Sequence, residues 1–171
     1  MMTRIFLIGY MGSGKTTYGK QIAQRMNWQF LDLDHYIESR HRKTIERLFE
    51  EKGEAGFREI EHQLLNEIAD FENVVIATGG GAPCFFDNME LMNRKGLTVF
   101  FDLQPEELLG NLRMSNVKRP LIQGKSDEEL LRLIPQMLEN RNPYYKKAKL
   151  HVNPNKEPIG NIIGKIKNKL N

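Results

Sequence analysis

The chain is poor in several features that would each mark a class of protein. Its 171 residues include one cysteine, Cys84. No internal disulfide can form, and the composition suits a reducing compartment. The four histidines, His35, His41, His62 and His151, show no metal-ligand spacing, so a metal centre built from Cys and His is not expected. There is no basic run. The nearest approach is Lys165, Lys167 and Lys169, interleaved with Ile166 and Asn168. Ile162, Ile163, Ile166 and Leu170 form an apolar stripe there, the pattern of an amphipathic terminal helix. A net charge of +3 is too mild to imply nucleic acid. No apolar run approaches membrane length, and the start of the chain lacks the apolar core of a signal peptide. The expectation is one cytoplasmic domain spanning 1–171, monomeric, with no nucleic-acid or membrane partner.

What the chain does have is concentrated near its start. Ile5-Phe6-Leu7-Ile8 is a short apolar strand that runs into Gly9-Tyr10-Met11-Gly12-Ser13-Gly14-Lys15-Thr16, the pattern G-x-x-x-x-G-K-T. Gly9, Gly12 and Gly14 let the backbone curl so that consecutive N–H groups face phosphate oxygens. Lys15 reaches the β- and γ-phosphates, and the Thr16 hydroxyl can ligate Mg²⁺. A helix from Thr16 to about Met26 puts its positive end at the same anion. A chance glycine-rich turn would not sit between a strand and a helix in this way. The chain is expected to bind a nucleoside triphosphate.

Four further strands are predicted at 29–33, 74–78, 98–102 and 149–152. Near-continuous apolar runs of this kind indicate strands buried on both faces, hence an α/β protein with a parallel sheet between helical layers. Phe57, Ile60, Leu64, Leu65 and Ile68 mark one helical face. Ile45, Leu48 and Phe49 mark another, stopped by Gly53. Ser126-Asp127-Glu128-Glu129 is a capping box opening a helix toward Arg141. Pro135 is expected to kink or split that helix, and Pro143 to end it. The patternless segment from Met114 to Lys125 holds Lys118, Arg119 and Pro120, and has the length of a lid.

Ligands of open α/β sheets bind beyond the carboxyl ends of the strands. Three segments lie there. Asp32-Leu33-Asp34 ends the second strand, and carboxylates at i and i+2 of a strand point the same way. One can face Mg²⁺ beside Thr16, the other an acceptor hydroxyl; alternatively Asp34 is a helix N-cap. Thr78-Gly79-Gly80-Gly81 ends the third strand with bare backbone amides. Arg58 and Glu61 lie at i and i+3 of one helix, and Arg141 closes a later one. Guanidinium groups suit a carboxylate through two parallel hydrogen bonds. Arg119, in the lid-like segment, is placed to neutralise charge on a transferring phosphoryl group.

Taken together these residues resemble the shikimate kinases. The resemblance rests on Gly-Tyr-Met-Gly-Ser-Gly-Lys-Thr-Thr at 9–17, Leu-Asp-Leu-Asp at 31–34, Phe-Arg-x-x-Glu at 57–61, Gly-Gly-Gly at 79–81, Lys-Arg-Pro-Leu at 118–121 and Arg-Asn-Pro-Tyr-Tyr at 141–145, in the family's order and spacing. It implies ATP- and Mg²⁺-dependent phosphorylation of the 3-hydroxyl of shikimate, in aromatic amino-acid biosynthesis. It implies a three-layer P-loop kinase fold with a five-stranded parallel sheet in the order 2-3-1-4-5, a helical substrate-binding segment at about 33–61 and a mobile lid at about 114–126. By this resemblance Asp34 holds the substrate hydroxyls and can take the proton. Arg58, Gly80 and Arg141 fix the substrate carboxylate, Gly79 and Gly81 are also substrate-binding, Glu61 orients Arg58, and Phe49 and Phe57 wall the ring. Gly12, Ser13, Gly14, Lys15, Thr16 and Thr17 hold the phosphates, with Lys15 and Arg119 as the phosphate-handling cations. Thr16 and Asp32 form the magnesium site. Arg113 stacks on adenine, and Asn153-Pro154-Asn155 adds to the adenine pocket.

Rival readings leave marks that can be sought. A gluconate or nucleotide kinase would share the loop and the lid. Arg58 and Arg141 with the triple glycine favour a carboxylate acceptor, and Asp34 favours a polyol. A guanine-nucleotide switch needs N-K-x-D, but Asn155-Lys156-Glu157-Pro158 lacks the aspartate. An ATP-hydrolysing motor needs a strand ending in Asp-Glu, but the fourth strand ends in Asp102-Leu103. A non-catalytic nucleotide-binding regulator would have no need of the full set of catalytic residue types.

Overall fold

The computed structural model describes residues 3–115 and 122–171. Lys118, Arg119 and Pro120 of the expected lid lie outside the described residues. Five strands form a single parallel sheet: β1 (Arg4–Ile8), β2 (Gln29–Asp32), β3 (Val74–Ala77), β4 (Leu97–Phe101) and β5 (Leu150–Val152). Their order is β2-β3-β1-β4-β5. Burial explains which strands are central. Every residue of β3 and β4 is buried, as are Ile5 to Ile8 of β1, whereas β2 and β5 are partly exposed and occupy the edges. Leu7 pairs with Ala77, Ala77 with Asp32, and Ile8 with Phe100. The carboxyl ends of four strands therefore line up along one rim of the sheet.

Among the described residues seven α-helices connect and cover the strands: α1 (Lys15–Met26), α2 (Leu33–His41), α3 (Ile45–Ile68), α4 (Asn88–Lys95), α5 (Pro105–Met114), α6 (Asp127–Tyr145) and α7 (Ile159–Leu170). Helix α1 packs on β2 and β3 and touches α7, which covers β4 and β5. Helix α3 is flanked by α2 and α4, and α5 lies against α6. The stripe read in the last helix is the face it buries, with Ile162, Ile163, Ile166 and Leu170 all inside.

The boundaries follow from local chemistry. Leu33, expected as the last residue of a strand, instead opens α2, because the Asp32 carboxylate accepts from the amides of Asp34 and His35 at 3.0 and 3.2 Å. Asp32 is at once the last residue of β2 and the N-cap of α2, whereas Asp34 sits in the first helical turn rather than at the strand end. The capping box at Ser126 opens α6 as expected, with reciprocal bonds between Ser126 and Glu129. Helix α6 is not split at Pro135, and Pro143 lies inside the last turn rather than ending the helix. Both prolines are exposed. The carbonyl that Pro135 leaves without a donor belongs to exposed Leu131, where water can take it, while buried Leu130, Ile134 and Leu138 hold the other side of the helix on the core.

Gly53 breaks α3 as expected, with φ 68° and ψ −179°. That conformation is open essentially to glycine alone, and an added Cβ would meet nothing within 4 Å. The whole penalty of Gly53→Ala is therefore backbone strain. The substitution is expected to reduce the free energy of unfolding by about 1–3 kcal/mol, seen as a lower urea midpoint. An unchanged midpoint would mean that α3 can run through position 53 without strain.

Candidate active site

The turn after β1 has the geometry of an anion cradle. Gly12 and Gly14 have φ of 80° and 95°, in the left-handed region, and Gly14 is the N-cap of α1. A glycine there carries no side chain, and among the described residues no side chain caps the helix. The first-turn amides of α1 are left for an incoming anion. Lys15 lies back over the loop, with Nζ donating to the carbonyls of Gly9 at 2.6 Å and Tyr10 at 3.0 Å. Ser13 is fully buried, and its hydroxyl has no hydrogen-bond partner among the described residues. Thr16 and Thr17 are exposed at the start of α1. Thr16 Oγ1 donates to Asp32 Oδ2 at 3.1 Å. A hydroxyl and a carboxylate side by side at a phosphate cradle can hold a hard, oxygen-loving divalent cation that phosphate oxygens and water complete.

The three glycines after β3 are the centre of the arrangement. A Cβ on Gly79 would lie 3.1 Å from Asp34 Oδ1 and 3.4 Å from Glu61 Oε2. On Gly80 it would lie 2.9 Å from Arg141 Nη1 and 3.4 Å from the Gly9 carbonyl. On Gly81 it would lie 2.9 Å from both Cζ and Nη1 of Arg58. Each missing side chain is thus replaced by a charged group from α2, α3 or α6. The two arginines meet adjacent glycines, and Asp34 meets the glycine nearest the strand. The phosphate loop is next to them, since Gly80 also faces Gly9.

Burial sets the electrostatics. Glu61 is 1% exposed. Arg58 Nη1 donates to its Oε1 at 2.8 Å. Loss of water nevertheless dominates, and raises the Glu61 carboxyl from 4.5 to about 7 against the pull of Arg58. Asp34 is also raised above the usual aspartate value, by burial first and the nearby Asp32 charge second, with Lys15 opposing. A carboxylate held so has an increased affinity for a proton. Arg141 lies 5.4 Å from the Tyr10 ring centre. Phe49 and Phe57 stack at 4.3 Å beside Arg58.

On the other side of the phosphate loop, Asn111 donates to the Gly12 carbonyl at 2.8 Å and also bonds Asn155. Tyr18 donates to the Pro154 carbonyl at 3.1 Å. These bonds fix the 153–158 turn beside the cradle, where it lines an open cavity of about 440 Å³ with Tyr18 and Gln21. Arg113 is exposed at the end of α5 and pairs with Asp127 at the start of α6; the structure does not bring it to the glycine run. Arg119 lies outside the described residues.

A model of the family described as shikimate kinase matches residues 11–171. The chain belongs to the shikimate kinase family. A shikimate kinase of Bacteroides thetaiotaomicron is 58% identical over 147 residues, covering 86% of this chain and 84% of that protein. The crystal structure of shikimate kinase from the same organism matches with a TM-score of 0.92 and 51% identity, over 99% of both chains. Shikimate kinase from Acinetobacter baumannii in complex with shikimate matches with a TM-score of 0.83 and 36% identity, over 100% of this chain and 97% of that one. The five-stranded parallel sheet, its order and the three layers are those the resemblance implied.

Two further residues stand beside these groups without having been singled out from the sequence. Phe85 lies over Arg58, and Tyr145 donates from its buried hydroxyl to the Gly80 carbonyl at 2.5 Å. Tyr145 stands one turn from Arg141 within a motif already noted, so its helical spacing could have flagged it. Nothing in the sequence flags Phe85.

Glu61 also makes stability depend on pH. The folded protein keeps the Glu61 proton up to about pH 7, whereas the ordinary carboxyl value is 4.5. Between those values the folded state binds more protons than the unfolded one, so this group makes stability fall as pH rises. Urea midpoints measured from about pH 4.5 to 7 should fall less in Glu61→Gln than in the parent. Equal slopes would mean that Glu61 is ionised throughout this range.

Proposed function

We propose that this chain transfers the γ-phosphoryl group of ATP to the 3-hydroxyl of shikimate, as a monomeric, cytoplasmic enzyme with a single kinase domain over 1–171. The observation that carries this reading is the convergence of Asp34, Arg58 and Arg141 on the glycine run beside the phosphate loop. It offers a clamp for an acid and a carboxylate for a hydroxyl within one segment of backbone. The cradle and the Thr16–Asp32 pair fit ATP and Mg²⁺, and the bound ion supplies charge neutralisation between the phosphates.

In this reading Gly12, Ser13, Gly14, Lys15, Thr16 and Thr17 hold the triphosphate. The Lys15 ammonium exchanges its loop carbonyls for phosphate oxygens. Arg58, Arg141 and the amides of 79–81 take the acceptor carboxylate, and Glu61 holds Arg58 at its other edge. Phe49 and Phe57 face the acceptor ring, within a substrate-binding segment at about 33–61. Asp34 binds the acceptor hydroxyl and takes its proton as the phosphoryl group leaves. Arg113 and Asn153-Pro154-Asn155 border the adenine. The lid at about 114–126 closes over the site, and Arg119 meets the charge on the transferring group. Binding energy from the remote carboxylate fixes the orientation of the reacting hydroxyl.

ADP release with Mg-ATP should depend on shikimate and be absent with gluconate or a nucleoside monophosphate. Release driven by either of the others would replace the acceptor. Arg58→Ala should raise the KM for shikimate with little change in the KM for ATP; an unchanged shikimate KM would remove Arg58 from the clamp. Arg119→Ala should lower kcat by roughly 10³–10⁵, the range of such arginines elsewhere. A larger effect on shikimate KM than on kcat would remove Arg119 from the chemistry.

A further inference from the structure

Phe85 is the ring closest to the Arg58 guanidinium. Its centroid lies 4.3 Å from Arg58 Cζ, against 5.3 Å for Phe57 and 6.0 Å for Phe49. Phe57 and Phe49 belong to the same helix as Arg58, whereas Phe85 arrives from the segment after the triple glycine. A cation within about 6 Å of an aromatic face is attracted by the ring quadrupole, and more strongly where water is excluded. Here water is largely excluded, since the Arg58 side chain is 12% exposed.

The edges of the guanidinium are unevenly used. Nη1 donates to buried Glu61, and Nη2 stands 3.6 Å from the exposed carboxylate of Glu54. Nε is buried and has no hydrogen-bond partner among the described residues. A buried N–H without a partner is unfavourable unless a ligand satisfies it. A carboxylate would do so, if the plane of the group is held still.

The backbone is built to send Phe85 inward. After Gly81 comes a 3₁₀ turn, Ala82–Cys84, then Phe85 in extended conformation with φ −119° and ψ 148°. Phe86 follows at φ 51°, a left-handed conformation unusual for an aromatic residue. It is held there from outside. The Phe86 ring stacks on His62 at 4.7 Å, one residue along α3 from Glu61. Fully buried Asn88 donates to the Ala82 carbonyl at 2.8 Å, so its Oδ1 accepts from His62 Nδ1 at 2.6 Å. The segment is closed on itself and pinned to α3, with Phe86 turned outward and Phe85 turned onto Arg58.

We propose that Phe85 is a positioning residue for acceptor binding: its ring fixes the plane of the Arg58 guanidinium and keeps it poorly hydrated, so that the free edge is set for the acceptor carboxylate. This rests on the assignment of Arg58 to that carboxylate. The contact of Phe85 is with Arg58, so its effect falls on one substrate and one end of it.

The test uses the full-length enzyme and steady-state kinetics for both substrates. Phe85→Leu keeps apolar bulk but loses the aromatic face; it should raise the shikimate KM by roughly tenfold, the scale of a cation–π contact out of water, with kcat and the ATP KM within about twofold. Phe85→Tyr should restore the shikimate KM. In an Arg58→Lys background, Phe85→Leu should add little, because the planar group it orients is gone. Should Phe85→Leu not fold, Phe85→Met is measured in its place. An unchanged shikimate KM in Phe85→Leu overturns the proposal, as does a parallel rise in both KM values with a lowered melting temperature. The Arg58→Ala control separates the failures. If it raises the shikimate KM and Phe85→Leu does not, Phe85 alone is wrong. If it leaves that KM unchanged, the clamp is wrong and the Phe85 proposal falls with it.

Discussion

The structure depends on a place where the chain has no side chains. Gly79, Gly80 and Gly81 sit at the carboxyl end of a central strand, and the volume their side chains would fill is taken by Asp34 and Glu61, Arg141 and Arg58 in turn. Those residues come from three helices, α2, α3 and α6. Convergence of this kind in a buried setting is unfavourable unless the charges pair and find hydrogen bonds. Arg58 pairs with Glu61, and Tyr145 ties the Gly80 carbonyl to α6. What these contacts leave over is the Arg58 Nε–H, buried without a hydrogen-bond partner among the described residues.

The strand order gives the site its second component. Because β1 and β3 are neighbours in parallel register, the phosphate loop and the glycine run leave the sheet at the same level, and Gly80 faces Gly9. The distance between the phosphate loop and the glycine run is thereby fixed by backbone hydrogen bonds of the sheet rather than by flexible side chains. Such a frame serves phosphoryl transfer, in which positioning and charge stabilisation supply most of the rate.

Much of this was legible in the sequence, and the gaps are instructive. The phosphate loop, the strands, the break at Gly53 and the capping box at Ser126 are local events, written in short runs of residues. Fold order is a long-range property; it was reached through the series of motifs rather than through any one of them. Leu33 and Asp34 join the helix because two hydrogen bonds from helix amides to Asp32 outweigh strand continuation, a choice that alternation cannot reveal. Helix α6 is not split at Pro135: propensity weighs the lost bond and not the surroundings. On an exposed face water takes the orphaned carbonyl, and the buried stripe of α6 does the rest. Phe85 could not be read at all. Two adjacent phenylalanines look alike in sequence, and which one turns inward is decided by His62 and Asn88, more than twenty residues apart.

The clamp also has a consequence for how the protein comes to exist. Its parts are scattered along the chain: the phosphate loop at its beginning, Asp34 and Arg58 in its first half, and Arg141 near the end of α6. A ribosome releases them in that order. A nascent chain that has formed the first strands carries the material of a nucleotide cradle long before it carries an acceptor site. Only when α6 docks does Arg141 come beside Gly80 and Tyr145 bond the Gly80 carbonyl. Competence for group transfer is thus a late event of folding and reports that the whole domain has closed.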